Sequence, residues 1–539
     1  MEYDDPYYKP QDVSGREGRW SSASLAANSV VLGVAGVFGS VSVGGGDEVS
    51  GWCLWTLAGI LAFPLGAQTG GAASTGADIE LSLGQAVERA LRDNPILIDA
   101  RLRRGVERFD LRQAERRFVP EVSFGTLGAE QTGYLGDDAG FYRLAAGPGM
   151  LLRLPTGGDV EVNPAWSVFL DESGQTVSDG AGVRLRLRQP LLRGGGLKVG
   201  TAPVRLARIA EAGYVLAFKA AIMDVVTAVI YGYRAVIEAE RRVAIDQGAL
   251  DRTRAMLAVN RALIDTGRMA ASDIAETEAE VARGELALIR SRDRRDNAIR
   301  DLNVMLNLDG GARVIPTDSA TLDPGGSPPD LAAALALAHG GHTGYRRALL
   351  DVESATIGVT LAENDTLWDV SLTADVEQRR DGTPGAAGES LARELTRPFA
   401  VGIAVSVPVN DASAKARRRA RFAARTAARR AEQVLASTVR RMETDVHNGV
   451  RAVGIGLREV ELARRALELA ASKLEVEEQK LRLGRTTNFR VTQFQADLVQ
   501  AQVNELNSRI GYLNALAALD RTVGGTLDTW NIDIEAMQE

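Results

Sequence analysis

From Pro203 to about residue 266 the chain meets no further proline and little glycine, and from about 411 to 483 it meets no proline at all. At ~1.5 Å per residue the first run is roughly 95 Å of helix, and the second is longer. No compact globular domain accommodates such rods; helices of this length imply a coiled-coil or tubular assembly. Composition agrees. Only 5% of the 539 residues are aromatic, whereas alanine and glycine abound, as suits rods packed closely side by side. The net charge of -7 argues against nucleic acid as a partner of the whole chain.

Both runs end at a Gly-Arg pair and then resume as helix: Gly267-Arg268 and Gly484-Arg485. This is one sign of an internal duplication. Residues 94–124 align without gaps on 342–372 at an offset of 248, with Ala114-Glu115 falling on Ala362-Glu363. Further on, Gly267, Ala279 and Leu302 match Gly484, Ala496 and Leu519 at an offset of 217, so the second copy has lost roughly thirty residues between its two strands. The expected organisation is a first repeat over 81–317, a Pro/Gly linker over 318–330, a second repeat over 331–525 and a tail over 526–539. Each repeat reads helix, strand, loop, strand, long helix, glycine break, helix.

The strands are expected at about 120–131, 183–190, 369–378 and 399–409. In VRLRLRQ (183–189), Val183, Leu185 and Leu187 fall on one face and Arg184, Arg186 and Arg188 on the other. A one-faced soluble sheet gives this pattern, and so does a membrane barrel with a wet lumen. Four to six such strands cannot close a barrel alone, and an open edge in lipid leaves backbone groups unpaired, so several copies must share one barrel. The long segment 132–180 reads either as a plain outer loop or as an extra hairpin turning at Pro155–Gly158 and folding over the outer mouth. After the second break, Val499, Val503, Leu506, Ile510, Leu513 and Ala517 form one apolar stripe, and Val491, Phe494, Leu498 and Ala501 an offset one. Two stripes call for two flanking helices, as in the wall of a tube.

Residues 52–69, WCLWTLAGILAFPLGAQT, read as an export signal cleaved near Ala67, too short to span a membrane. Nearly fifty residues precede it and Asp47 and Glu48 flank it, so a translation start near Val49 is the expected one. Residues 1–67 then form the signal region and 68–80 a linker. Cys53 is the single cysteine, which excludes disulfides and cysteine-based metal sites. His339 and His342 could share a helix face, but no third ligand accompanies them. The run AKARRRARFAARTAARR (414–430) reads as a solvated helix face or one set near lipid phosphates, rather than a nucleic-acid site. No catalytic constellation, cofactor motif or phosphate loop is present, so an enzyme is not expected.

LSLGQAVERALRDNPILIDARL (81–102), RQPLLRGGG (188–196), VSVPVND (405–411) and the two Gly-Arg breaks, in this order and duplicated, resemble the TolC-like outer-membrane factor family. The resemblance implies a mainly α fold with β: a long α-helical coiled-coil barrel forming a periplasmic tunnel, plus a membrane β-barrel shared between three protomers. Each homotrimer subunit would give four strands to a twelve-stranded barrel in the outer membrane. A periplasmic adaptor protein and an inner-membrane transporter would dock at the lower end, making the chain a passive duct for efflux or type I secretion. Gly267, Arg268, Gly484 and Arg485 would then mark the docking tip. Family members often ring the aperture with acidic residues; here Asp273 and Glu276 remain at the first break, but Arg490 and Gln493 stand at the second. Arg490 is expected to face or pair with Asp273 or Glu276. The competing reading of the whole chain is a soluble structural coiled-coil protein.

Overall fold

The computed structural model describes residues 78–124, 128–132, 141–170, 175–266, 274–318, 330–382, 399–407, 411–483 and 485–534. The export signal, Cys53, Gly267, Arg268, Asp273 and Gly484 lie outside these residues.

The chain enters through strand β1 (Asp78–Leu81), helix α1 (Leu83–Asp93) and helix α2 (Pro95–Glu115). Ser82 starts α1 with a capping box: its hydroxyl accepts from the Gln85 N–H, and the Gln85 carboxamide accepts from the Ser82 N–H. Asn94 caps α2, where Pro95 occupies a first-turn position that needs no N–H donor. Six strands follow in succession: β2 (Glu121–Phe124), β3 (Gly128–Thr132), β4 (Phe141–Ala146), β5 (Pro148–Arg153), β6 (Asp159–Leu170) and β7 (Thr176–Pro190). A short helix α3 (Leu197–Gly200) leads into α4 (Ala202–Asp265), which is 64 residues long, and the chain returns along α5 (Ile274–Met305).

After β8 (Arg313–Pro316) the plan is repeated with fewer strands: α6 (Leu331–Gly341), α7 (Thr343–Asn364), β9 (Asp369–Gly382), β10 (Phe399–Ser406), the 72-residue α8 (Asp411–Arg482) and α9 (Asn488–Val523). The tail is no loose end. A last turn, α10 (Thr526–Thr529), docks with Leu527, Trp530, Ile532 and Ile534 on the core. Likewise residues 78–80, expected within a linker, pair in parallel with β8, and the buried Tyr233 hydroxyl donates to the Leu81 carbonyl at 2.8 Å.

The core lies among helices. On α4, Phe218, Ile222, Val226, Val229, Tyr233 and Val236 are buried at three- and four-residue spacing against Ala86 and Ala90 of α1, Leu302 of α5 and Leu506 and Ile510 of α9. Burying each such side chain contributes about 1.5–3 kcal/mol. Helix α4 is apolar and long enough to cross a membrane, but half of its most apolar window is buried, and this packing explains its composition. A second cluster joins Met442, Val446 and Val453 of α8 to Ala338 of α6 and Tyr512 and Leu519 of α9. Helix α9 thus lays Leu506 and Ile510 of the first expected stripe against α4, but Tyr512 and Leu519, outside both expected stripes, against α8; Val491 and Leu498 of the second stripe pack with Met256 of α4 and Leu474 of α8. Val229 and Val446, Val236 and Val453, and Leu302 and Leu519 are all buried and all stand 217 residues apart.

Apart from the β1–β8 pair, the strands form one antiparallel sheet of eight. β2 pairs with β5 and β3 with β4, while β4 and β5 both pair with β6. β2/β3 and β4/β5 are therefore consecutive lengths of two strands, and the sheet has six positions across: β2/β3, β4/β5, β6, β7, β9 and β10. This corrects the four strands that the family resemblance implied. The difference lies in residues 141–170, which form an extra hairpin turning at 154–158: β6 pairs with β7, and β4 and β5 pair with β6. β7 and β9 also extend beyond the expected 183–190 and 369–378, and β10 ends before 409.

Candidate functional site

Two regions can carry function: the sheet with its corner onto the helices, and the ends of the two helical hairpins.

The sheet has a charged face. Arg184 pairs with Glu377 at 2.6 Å, Arg186 with Asp375 at 3.0 Å, and Arg188 and Arg193 both reach Asp369. The Arg184 and Arg186 pairs are partly exposed, so each contributes only about 0–1 kcal/mol, while Asp369 is more enclosed. Together they make a hydrated surface on which both signs alternate. The opposite face is apolar and exposed in the single chain: Val183 and Leu185 are above 40% exposed, and Phe399, Val401 and Ile403 above 65%. The motif RGGG (193–196) forms the corner where β7 leaves the sheet. Gly194 and Gly196 have φ of 80° and 95°, conformations that only glycine adopts freely. The β5–β6 turn packs into this corner: the Gly196 N–H donates to the Thr156 carbonyl, and a Cβ on Gly157 would stand 2.0 Å from the Gly194 carbonyl oxygen. The turn at 154–158 therefore sits at the helix end of the sheet and does not fold over the far mouth.

Just beyond the corner, Arg208 of α4 binds Glu115 of α2, and Arg425 of α8 binds Glu363 of α7. The arginines are 217 residues apart and the glutamates 248, the two offsets of the sequence alignment. The arginine-rich run thus has a structural task in at least one of its members.

At the other end, α8 stops at Arg482 and α9 starts at Asn488. Glu477 is 3% exposed. Its carboxylate accepts from the Thr486 hydroxyl and from Lys480 Nζ at 3.1 Å, and Arg490 Nε lies 3.6 Å away. The Thr486 hydroxyl bond, then that of Lys480, holds this carboxyl below the usual glutamate range. Arg490 thus has a partner on its own hairpin, and its side chain is otherwise exposed. Glu276 in the first turn of α5 is exposed, as are Arg485 and Gln493. Two amides and a hydroxyl tie the two hairpins together: Asn260 Nδ2 donates to the buried Thr277 Oγ1, and the half-buried Asn488 donates from Nδ2 to Asn260 Oδ1, both at 2.9 Å. Met256, Leu474, Val491 and Leu498 pack beside it. Glu477, Thr486, Asn260, Thr277 and Asn488 escaped the sequence reading. No sequence signal marked them, because each finds its partner only in the folded hairpins.

His339 and His342 do not converge. The His339 ring faces the Leu335 carbonyl, while His342 caps α7 by accepting from the Tyr345 N–H. Among the described residues no group of three or more His, Cys, Asp or Glu is disposed to hold a metal ion.

The architecture has solved counterparts. VceC, an outer-membrane protein of Vibrio cholerae, superposes with a TM-score of 0.61 at 15% identity, over 82% of this chain and 96% of that one. The fold is that of outer-membrane channels. The open-state outer-membrane channel MtrE of Neisseria gonorrhoeae matches with a TM-score of 0.60 at 15% identity, covering 83% of this chain and 89% of its own. The outer-membrane channel CmeC of Campylobacter jejuni gives 0.61 at 12% identity, over 85% and 89%. No protein-family model and no curated protein sequence matches the chain.

Proposed function

We propose that this chain is the outer-membrane channel-tunnel of a tripartite efflux pump or type I secretion system. It acts as a passive exit duct: three copies share one barrel in the outer membrane and extend their helices as a periplasmic tunnel. The observation that carries the reading is an unpartnered seam. On α8, Ile455, Leu462, Leu469 and Val476, followed by Leu483 just past its end, recur every seven residues and are all 47–69% exposed. A strict heptad stripe of this kind is made to face another helix, with left-handed supercoiling. The sheet makes the same demand, since β10 and β2/β3 are edges with unpaired backbone groups that lipid does not tolerate. The repeated ion pairs and the buried positions 217 apart support two copies of one plan within each subunit.

In this reading the hairpin ends form the periplasmic tip. Gly267, Arg268, Gly484 and Arg485 dock the adaptor that couples the tunnel to an inner-membrane transporter, which supplies the energy. Asp273, Glu276, Arg490 and Gln493 line the aperture, with Glu477 holding Arg490 from behind. Reconstitution into planar bilayers tests the proposal. The wild type should give discrete conductance steps, and Asp273→Ala and Arg490→Ala should each change step size or open time. A protein that never conducts would sink the duct; two variants indistinguishable from wild type would remove the charged aperture.

A further inference from the structure

Among the described residues the β4/β5–β6 hairpin has no counterpart in the second half of the chain. The two alignment offsets differ by 31 residues (248 − 217), and residues 141–170 account for nearly all of them. An inserted segment of this kind could be a plug, a cap or part of the wall, and the register decides between them. Val122, Met150, Val162, Leu185, Val376 and Phe399 stand opposite one another, one from each of the six positions across the sheet. The next row on the same face, Leu152, Val160, Leu187, Ala374 and Val401, continues it. On the other face Glu161 of the inserted hairpin lies opposite Arg186, 3.9 Å from its guanidinium, and Arg186 lies opposite Asp375. A slip of one residue in β6 would bring Glu161 onto the apolar face and Val162 among the arginines. The insertion therefore carries the same inside and outside as the strands around it, and Trp166, 62% exposed, continues its apolar face.

Direction agrees with register. Every neighbour in the sheet is antiparallel, so six positions leave β2/β3 and β10 running oppositely at the two edges. Identical copies then join edge to edge in the antiparallel sense, and the ring closes head to tail. From this geometry, and resting on the outer-membrane trimer proposed above, we infer that the inserted hairpin is lipid-facing wall. Each subunit gives six strands, and three copies close a barrel of three times six, eighteen, in place of twelve. Since barrel diameter grows roughly linearly with strand number, the outer exit is about half as wide again as a twelve-stranded one.

Single cysteines placed in a Cys53→Ser background test this. Val162→Cys, Leu185→Cys and Glu161→Cys are labelled with a small fluorophore in vesicles whose acyl chains carry a spin-label quencher. The lipid-facing wall predicts quenching at Val162 as strong as at Leu185, with Glu161 unquenched and open to a water-soluble maleimide. Quenching at Leu185 without quenching at Val162 overturns the inserted wall and leaves the outer-membrane reading standing. Quenching at neither overturns both. In electron-microscopic images of the same preparation, a ring of eighteen strands supports the count and a ring of twelve refutes it.

Discussion

Asn260 has no exposure to solvent and sits between two partners that lie 17 and 228 residues away, Thr277 and Asn488. Truncating it to alanine leaves buried polar groups without partners, at a cost of about 1–3 kcal/mol. Asn260→Ala should lower the thermal midpoint of the purified protein, and proteolysis at the hairpin ends should quicken with it. His342 makes a pH-dependent prediction. Burial holds its imidazole below the ordinary range, with Arg521 acting in the same direction and Asp445 against it. The neutral ring is the form that accepts from the Tyr345 N–H. Its contribution is therefore complete above the ordinary imidazole range and is lost as pH falls through the lower folded value. Thermal midpoints measured across that interval should fall for the wild type, whereas His342→Asn, which caps without titrating, should remove this component. None of these roles was legible in the sequence, because each depends on partners that only the folded hairpins bring together.

Among the elements, the long helices were the most legible. Missing prolines and paired breaks gave α4 and α8 almost to the residue, since helix interiors tolerate neither proline nor a run of glycines. On α9 the stripe through Leu506 and Ile510 was legible, whereas Tyr512 and Leu519, which meet α8, were not. The inserted strands were harder to read. Pro164 stands in the middle of β6 and discourages a strand reading, although Val160 and Val162 alternate with Glu161 and Asn163. Only the pairing with β7 settles their place. Gly157 measures how tightly that insertion is built in. At φ 88°, with the Gly194 carbonyl where a Cβ would go, Gly157→Ala should destabilise the sheet corner by at least about 2 kcal/mol, read as a lower thermal midpoint. The heptad seam on α8 gives a different signature. Leu469→Glu faces solvent in the single chain, so the helix content should persist while assembly fails, as separate circular dichroism and sedimentation measurements would show.

For the molecule as a whole, the exposed seam and the open sheet edges are what the proposed assembly answers: in that reading the chain is completed by sister subunits. Neither half of the duplication supplies enough sheet to close a barrel, and in the proposed assembly the insertion widens the shared barrel while the subunit keeps both edges. Purified outer membranes, extracted in mild detergent, should yield a complex with the mass of three chains that resists SDS until boiled. A monomer recovered from the water-soluble fraction, stable with no detergent present, would contradict the shared pipe.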